Sequence, residues 1–181
     1  MTNLKKALER AKRVICEYDP DLWGHCARTA DLCERITTGM LSLEMRDKLY
    51  FAAHVRDIGK IYIPSRILTK SGRLTEEERN TVDLHSIWGY IFLRKEGVPE
   101  DICQLVLLHH GYKKEKFGIP YDSPCFMADI LRACDIFDAI TSNRPYHKKL
   151  PADKALQILS DQKEPIPVMV LQGIAQVSAT A

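Results

Sequence analysis

Apolar side chains recur at helical spacing along nearly the whole chain. Over residues 3–17 they return every three or four positions, which predicts an amphipathic helix. The same period predicts further helices over about 22–38, 42–56, 76–95, 99–110, 125–142 and 152–160. No stretch alternates between apolar and polar residues as a half-buried strand would. We therefore expect an all-α fold, built as a helical bundle.

Local signals mark several of the predicted helix ends. Asp21 is the predicted N-cap of the second helix. Thr75, followed by Glu78 three residues later, has the pattern of a capping box. Pro64 cannot continue a helix, so residues 61–64 are predicted to form a turn-rich connector.

The length and composition fit one domain. A chain of 181 residues that is 45% hydrophobic can bury a proper core. Neither an internal repeat nor a linker is visible in the sequence, so we expect a single domain over residues 1–181. Its core is predicted at about 19–160, with a polar loop over 111–124 and a less regular tail over 161–181.

Charge and apolar content restrict the partners and the location. With 26 basic and 24 acidic residues, the chain has a net charge of +2, which argues against binding a nucleic-acid polymer through bulk charge. No apolar run approaches the roughly 20 residues that span a bilayer, and the N-terminus lacks the apolar region of a signal peptide. We expect a cytoplasmic protein that does not enter the membrane. Its six cysteines, none in a CxxC pair, are predicted to be reduced and mostly buried.

Histidines and aspartates on or at the ends of predicted helices are candidates for metal binding. They are His25, Asp57, His85, His109, His110 and Asp135. Divalent cations accept mixed imidazole and carboxylate ligands, which a bundle can present from facing helices. A single helix histidine is more often structural, but an adjacent pair before a glycine is a stronger signal. Because neighbouring side chains point about 100° apart on a helix, the pair converges on one site only if the helix end faces it.

The order of these motifs resembles a known family. They are His25-x-x-Arg28, Asp57-Ile58-Gly59-Lys60, His85-x-x-x-Gly89, His109-His110 and Asp135-x-x-Asp138-Ala139. Together with the segments AAHVRDIGKIYIPSRILTKSGRLTEEE, DLHSIWGYIFL and ILRACDIFDAITSNRPYHK, they resemble the HD superfamily of metal-dependent phosphohydrolases, and its HD-GYP branch in particular. The resemblance covers roughly residues 19 to 160 and implies a helical phosphodiesterase fold.

The resemblance implies two metal sites that share Asp57. The first would comprise His25, Asp57 and Asp135, and the second Asp57, His85, His109 and His110. One or two divalent transition-metal ions (Fe, Mn, Zn or Ni) would polarise phosphoryl oxygens and activate a water.

The resemblance also implies roles at and around these sites. Asp57 and Lys60 are the expected catalytic residues, and Lys60 and Arg144 the expected contacts to substrate phosphate. Arg144 could equally form a structural ion pair with Asp138 or with a carbonyl. Asp21 could ligate a third metal instead of capping its helix.

Arg56 departs from the family pattern, because a histidine is expected at this position. A guanidinium has no lone pair for a metal. The second site could then survive as a mononuclear centre. Arg56 could instead replace the missing cation and leave a metal-poor pseudoenzyme. As a third alternative, His54, three residues before Asp57, could substitute as a ligand.

The loop after the paired histidines also departs from the family pattern. Gly111 stands where the family has a glutamate, and Gly118-Ile119-Pro120 is the nearest match to Gly-Tyr-Pro. That loop helps to recognise substrate in the family, so its change weakens the case for cyclic di-GMP hydrolysis most.

Two functions follow as hypotheses. The first, which we favour because most ligands are retained, is a metal-dependent phosphodiesterase acting on a small nucleotide such as cyclic di-GMP. The alternative is a catalytically silent regulatory module that binds a nucleotide or a signalling protein.

Overall fold

The computed structural model describes residues 3–111, 123–143 and 148–180, and within these ranges it contains helices and no strand. The α-helices are α1 (Asn3–Tyr18), α2 (Pro20–Thr37), α3 (Leu43–Val55), α4 (Ser65–Leu68), α5 (Glu76–Asp83), α6 (His85–Lys95), α7 (Glu100–Leu108), α8 (Ser123–Thr141), α9 (Ala152–Ser160) and α10 (Val168–Ala179). A 3₁₀ helix (Ile58–Tyr62) follows α3. The predicted all-α fold is confirmed.

Capping side chains explain where several helices begin. The N-cap of α2 is Asp19, whose carboxylate accepts hydrogen bonds from the backbone N–H groups of Asp21 and Leu22, so the predicted cap at Asp21 is wrong by two residues. The predicted capping box is confirmed. The Thr75 hydroxyl accepts from the Glu78 N–H, and the Glu78 carboxylate accepts from the Thr75 N–H.

The helix predicted over 76–95 is in fact two helices. A turn at Leu84 separates α5 from α6, and His85 becomes the first residue of α6. The 3₁₀ helix packs against α6, and an ideal Cβ on Gly59 would lie only 1.9 Å from the carbonyl oxygen of His85. The interruption therefore lies where another backbone approaches closely, which the hydrophobic period does not reveal.

The C-terminal tail contains a helix that the sequence pattern did not indicate. Residues 168–179 form α10, which packs against α2, α8 and α9. Val170 and Ile174 are fully buried, whereas Val168 is 68% exposed. Because apolar residues lie on both the buried and the exposed face of α10, their spacing shows little period.

The buried apolar side chains form one cluster that extends from α1 to α10. At its centre, α2 packs against α3 and α8, while α7 packs against α3, α6 and α8. The candidate ligands lie on α2, α6 and α8, and just after α3 and α7, so the helices around the core present them to one region.

The structure describes the side chains of five of the six cysteines, and these five are free thiols. Four are buried (Cys26, Cys33, Cys103 and Cys134), while Cys16 is half-buried. None of the described helices is long and apolar enough to cross a membrane.

Candidate metal centre

The paired histidines leave the end of α7 together. The helix ends at Leu108, His109 is its C-cap, and Gly111 follows with a φ of +81°, a conformation that glycine adopts readily. The helix end therefore faces the region where the other ligands lie, which is the arrangement that the sequence required for convergence. The ring centroids of His109 and His110 are 4.0 Å apart.

His85, His109 and His110 form a group of potential metal ligands, here called the three-histidine group. The Nε2 atom of His85 lies 3.3 Å from that of His109 and 3.0 Å from that of His110. Metal–nitrogen bonds of 2.0–2.1 Å, at the angles usual for divalent ions, place ligand nitrogens about 2.9–3.4 Å apart. The group therefore fits a divalent transition metal.

Backbone carbonyls fix the orientation of two of these rings. His85 Nδ1 lies 2.6 Å from the carbonyl oxygen of Val82, and His109 Nδ1 lies 2.6 Å from that of Val106. A carbonyl only accepts, so each Nδ1 carries the proton and each Nε2 directs its lone pair into the group. This is the usual way in which proteins orient histidine ligands.

Burial keeps the three rings in the form that can bind a metal. Desolvation lowers the pKa of His85 to about 4 and holds the pKa of His109 well below its usual range. The pKa of His110 is lowered for the same reason. Near neutral pH all three rings are uncharged, as metal ligation requires.

A second group of potential ligands, here called the mixed group, consists of His25, Asp57 and Asp135. Arg56 is fully buried beside it. The Nη2 atom of Arg56 lies 2.7 Å from His25 Nε2, 2.7 Å from Asp135 Oδ1 and 3.5 Å from Asp57 Oδ2. The guanidinium therefore lies among all three ligand atoms.

Asp57 lies between the two groups. Its Oδ2 faces Arg56, whereas its Oδ1 lies 3.5 Å from His85 Nε2 and 2.7 Å from Lys60 Nζ. Burial acts to raise the pKa of Asp57, but Lys60 and Arg56 outweigh it and hold that pKa well below its usual range. Asp57 is therefore ionised and available to both groups.

Arg56 and Asp135 stabilise each other's charges. Burial opposes ionisation of both, yet Asp135 and Asp57 raise the pKa of the Arg56 guanidinium. Likewise, the positive charge of Arg56 lowers the pKa of Asp135. The pair is fully charged at any physiological pH.

Asp138 contacts His25 on the side of the ring that faces away from the mixed group and so orients this ligand. The sequence did not indicate this role. Its Oδ2 lies 2.6 Å from His25 Nδ1, and its two oxygens accept hydrogen bonds from Arg28 at 2.9 and 3.1 Å. Burial opposes ionisation of Asp138, but these contacts lower its pKa to about 2. The spacing Asp135-x-x-Asp138 is the sequence signal, since residues three apart share a helix face.

His54 and Lys60 take up definite positions near these groups. His54 Nδ1 bonds the carbonyl of Tyr50, its ring packs against Trp23, and it belongs to neither group of potential ligands. The structure thus gives no support to His54 as a substitute ligand. Lys60 contacts Asp57 and keeps 23% of its side chain exposed.

Of the two remaining sequence candidates, the structure describes only Asp21. The exposed Asp21 lies in the first turn of α2, where its backbone N–H bonds the Asp19 cap. Arg144, the expected second phosphate contact, lies outside the described residues. So do residues 113–120, which hold the altered loop.

A cleft of about 540 Å³ opens beside the centre and includes His110 and Asp135 in its wall. The other described residues in its wall are Arg132, Ile136, Gln162, Lys163 and Glu164. The Arg132 guanidinium donates to the carbonyl oxygens of Glu164 and Pro165 and so fixes the connection between α9 and α10. Sequence reasoning missed Gln162, Lys163 and Glu164, because residues 161–167 showed no period or motif.

Comparisons with known proteins agree with this architecture. The family described as the HD domain matches the chain over residues 9–165. The chain is 30% identical over 157 residues to 3'3'-cGAMP-specific phosphodiesterase 3 of Vibrio cholerae, covering 82% of this chain and 33% of that protein. It is 32% identical over 154 residues to a cyclic di-GMP phosphodiesterase of Thermotoga maritima, covering 80% of this chain and 41% of that protein.

A solved structure shows the same fold. The HD domain of the L. monocytogenes phosphodiesterase PgpH superposes with a TM-score of 0.70 at 18% identity, covering 94% of this chain and 96% of that one. By contrast, the chain spans only about a third to two fifths of the length of the two relatives named above.

Proposed function

This chain belongs to the HD-domain family, and we propose that it is a metal-dependent phosphodiesterase acting on a small nucleotide, with cyclic dinucleotides as the favoured substrate class. The observation that carries the proposal is the convergence of the Nε2 atoms of two buried histidines and one half-buried histidine beside the ionised Asp57. The two relatives named above are phosphodiesterases of cyclic dinucleotides but differ in the nucleotide, which supports the class and not one member.

A divalent ion in the three-histidine group would polarise a phosphoryl oxygen and lower the pKa of a water beside it. Asp57 would complete the ligand set through Oδ1. Because its pKa is held so low, Asp57 serves to bind and orient and is a poor proton acceptor. Lys60 would neutralise Asp57 and, through its partly exposed side chain, offer positive charge to a substrate phosphate.

The cleft beside the centre fits a substrate of this class. Its volume of about 540 Å³ lies within the range of roughly 300–1,000 Å³ that small-molecule sites occupy. Lys163 gives the cleft an exposed positive charge, and His110 and Asp135 connect it to the centre. We also propose Arg144 as a second phosphate contact, on the strength of the family resemblance alone.

The test compares metal content and turnover in matched variants. Wild-type protein purified without oxygen should carry a transition metal. It should hydrolyse cyclic di-GMP, 3'3'-cGAMP or a generic phosphodiester when Mn²⁺ or Fe²⁺ is supplied. His109→Ala should lower turnover by at least about 100-fold, because it removes a ligand outright.

The control is His54→Gln, which changes a buried histidine that belongs to neither group of ligands. It should keep the metal and the turnover. Metal-free wild-type protein, or equal activity of wild type and His109→Ala, would contradict the proposal.

A second candidate function is a regulatory module that binds a cyclic dinucleotide without turnover. The observation in its favour is Arg56, which occupies the mixed group of ligands. Tight binding of cyclic di-GMP by metal-loaded protein that hydrolyses no phosphodiester would select it. The cytoplasmic location and a signalling protein partner stay predictions.

A further inference from the structure

We propose that Arg56 is a built-in cation of the mixed group, so that each chain binds one divalent ion, in the three-histidine group, and none in the mixed group. The position of that single ion rests on the proposed function. The role of Arg56 rests on the contacts of its own side chain and is tested independently of the proposed function.

The proposal rests on the distances among three atoms that form a small triangle. Arg56 Nη2, His25 Nε2 and Asp135 Oδ1 are separated by 2.7, 2.7 and 2.8 Å. Because Asp138 only accepts, His25 carries a proton on Nδ1, and because Arg56 only donates, His25 Nε2 presents its lone pair to Arg56 Nη2. Two lone-pair atoms 2.8 Å apart repel each other unless a positive group lies against both. Arg56 Nη2 is that group.

The same lone pair cannot serve two cations. The single Nε2 lone pair of His25 accepts a hydrogen from Arg56, so it is unavailable for a metal bond of about 2.0–2.1 Å. The facing oxygen of Asp135 accepts the other hydrogen of the same nitrogen. An ion could enter the mixed group only by displacing a charged guanidinium.

Displacement is opposed by the way in which Arg56 is held. Its side chain is 0% exposed, and Nη1 donates to the carbonyl of Ala53 at 2.7 Å. Three different elements surround Nη2, namely α2 with His25, the turn after α3 with Asp57, and α8 with Asp135. If an ion displaced the guanidinium, its buried positive charge would lose the hydrogen bonds and ion pairs that stabilise it, at a large cost in free energy.

An arginine with a purely structural role would bridge one carboxylate to the core. Arg56 instead reaches every ligand of the mixed group. We infer that it is a positioning residue, which holds His25, Asp57 and Asp135 in place without a metal and leaves Asp57 Oδ1 facing His85.

The first experiment measures the number of ions bound. Metal-free protein is titrated calorimetrically with Mn²⁺ and, separately, with Zn²⁺, and the loaded protein is analysed by mass spectrometry of metals. Wild type should bind about one equivalent per chain, and Arg56→His about two, because an imidazole supplies the missing ligand. Two equivalents in wild type, or one in Arg56→His, would overturn the proposal.

A double variant shows where the added ion binds. His109→Ala alone should bind no ion tightly. Arg56→His combined with His109→Ala should bind about one, because only the mixed group remains complete. If the double variant also binds none, the added ion does not enter the mixed group, and the assignment to Arg56 fails.

The third measurement is thermal stability without metal. Arg56→Met leaves Asp57 and Asp135 without their buried cation, so the Tm should fall by roughly 10 °C. Excess Mn²⁺ should restore more of this loss than it adds to wild type. The control is Arg46→Met, which removes a mostly buried arginine within α3, one that pairs with Glu34 of α2. Excess Mn²⁺ should raise the Tm of this control by no more than it raises that of wild type.

The outcomes separate the two proposals. Wild type that binds one ion but hydrolyses nothing would contradict the proposed enzyme and leave the role of Arg56 intact. Should Arg56→Met fail to fold, the stoichiometry of Arg56→His still decides the matter. Equal rescue of Arg56→Met and Arg46→Met by Mn²⁺ would count against the proposal.

Discussion

At the scale of single residues, three of the histidines at the centre are oriented by the ring nitrogen that faces away from it. His85 and His109 use backbone carbonyls, whereas His25 uses the carboxylate of Asp138. The carboxylate is the stronger acceptor because it is charged, and Arg28 keeps it so. The mixed group therefore depends on a buried network of charges, and the three-histidine group on the helix backbone.

This difference predicts the effect of Asp138→Asn. The amide of asparagine places an NH₂ group against a donor, either His25 Nδ1 or Arg28, and removes the charge. We expect a loss of about 2 kcal/mol in the free energy of unfolding, measured with urea.

The matched control is Ser142→Ala, which removes only the hydroxyl that donates to Asp138 Oδ1 at 3.0 Å. It should cost about 0.5–1 kcal/mol. An Asp138→Asn variant as stable as this control would show that the network contributes little.

At the scale of elements, the centre depends on how closely the 3₁₀ helix approaches α6. Gly59 allows backbone to meet backbone, since an ideal Cβ there would lie 1.9 Å from the His85 carbonyl oxygen and 2.6 Å from the Gly89 nitrogen. Asp57 lies two residues before Gly59, and Gly59 packs directly against the backbone of His85. The same contact therefore packs the two elements and brings Asp57 Oδ1 to 3.5 Å from His85 Nε2.

Gly59→Ala should consequently damage both stability and metal binding. Neither atom that the methyl group meets belongs to a flexible side chain, so the 3₁₀ helix must move. We expect a loss of roughly 3 kcal/mol in the free energy of unfolding and weaker Mn²⁺ binding, because Asp57 moves away from His85.

Gly72→Ala is the control, since a Cβ there would have no neighbour within 4 Å and the backbone needs no positive φ. Its stability should be unchanged or slightly higher. If Gly59→Ala behaved like Gly72→Ala, the close contact would not determine the geometry of the centre.

At the scale of the whole molecule, α10 completes the core from the C-terminal end. It packs against α2, the helix that carries His25, and against α8, which carries Asp135. Val170 and Ile174 belong to the same buried cluster as the residues around the centre. The connection before α10 also supplies Lys163 and Glu164 to the cleft. The tail is thus part of the fold and of the candidate site.

Two valines in α10 provide a direct test. Val170→Ala should lower the free energy of unfolding by about 2 kcal/mol, because a fully buried side chain leaves a cavity. Val168→Ala, at a residue that is 68% exposed, should change it by less than about 0.5 kcal/mol. Equal effects, compared by urea denaturation, would mean that α10 is not packed as described.

Much of the fold could be predicted from the sequence, because helix formation depends largely on local information. The period of apolar residues predicted most helices to within one or two residues, and Thr75 with Glu78 marked the start of α5. The prediction failed at Leu84 and over 168–179. There, a contact between distant segments, or packing against several helices, decides the conformation.

The sequence by itself determined the set of potential ligands and the departure at Arg56, because these depend only on residue type and order. It left three outcomes open for Arg56. Only the tertiary structure decided among the possible positions of its side chain, since His25, Asp57 and Asp135 come from α2, the turn after α3 and α8. A guanidinium can replace a metal ion only where the folding of all three elements brings their ligand atoms around one nitrogen, here at 2.7 Å for His25 and Asp135 and at 3.5 Å for Asp57.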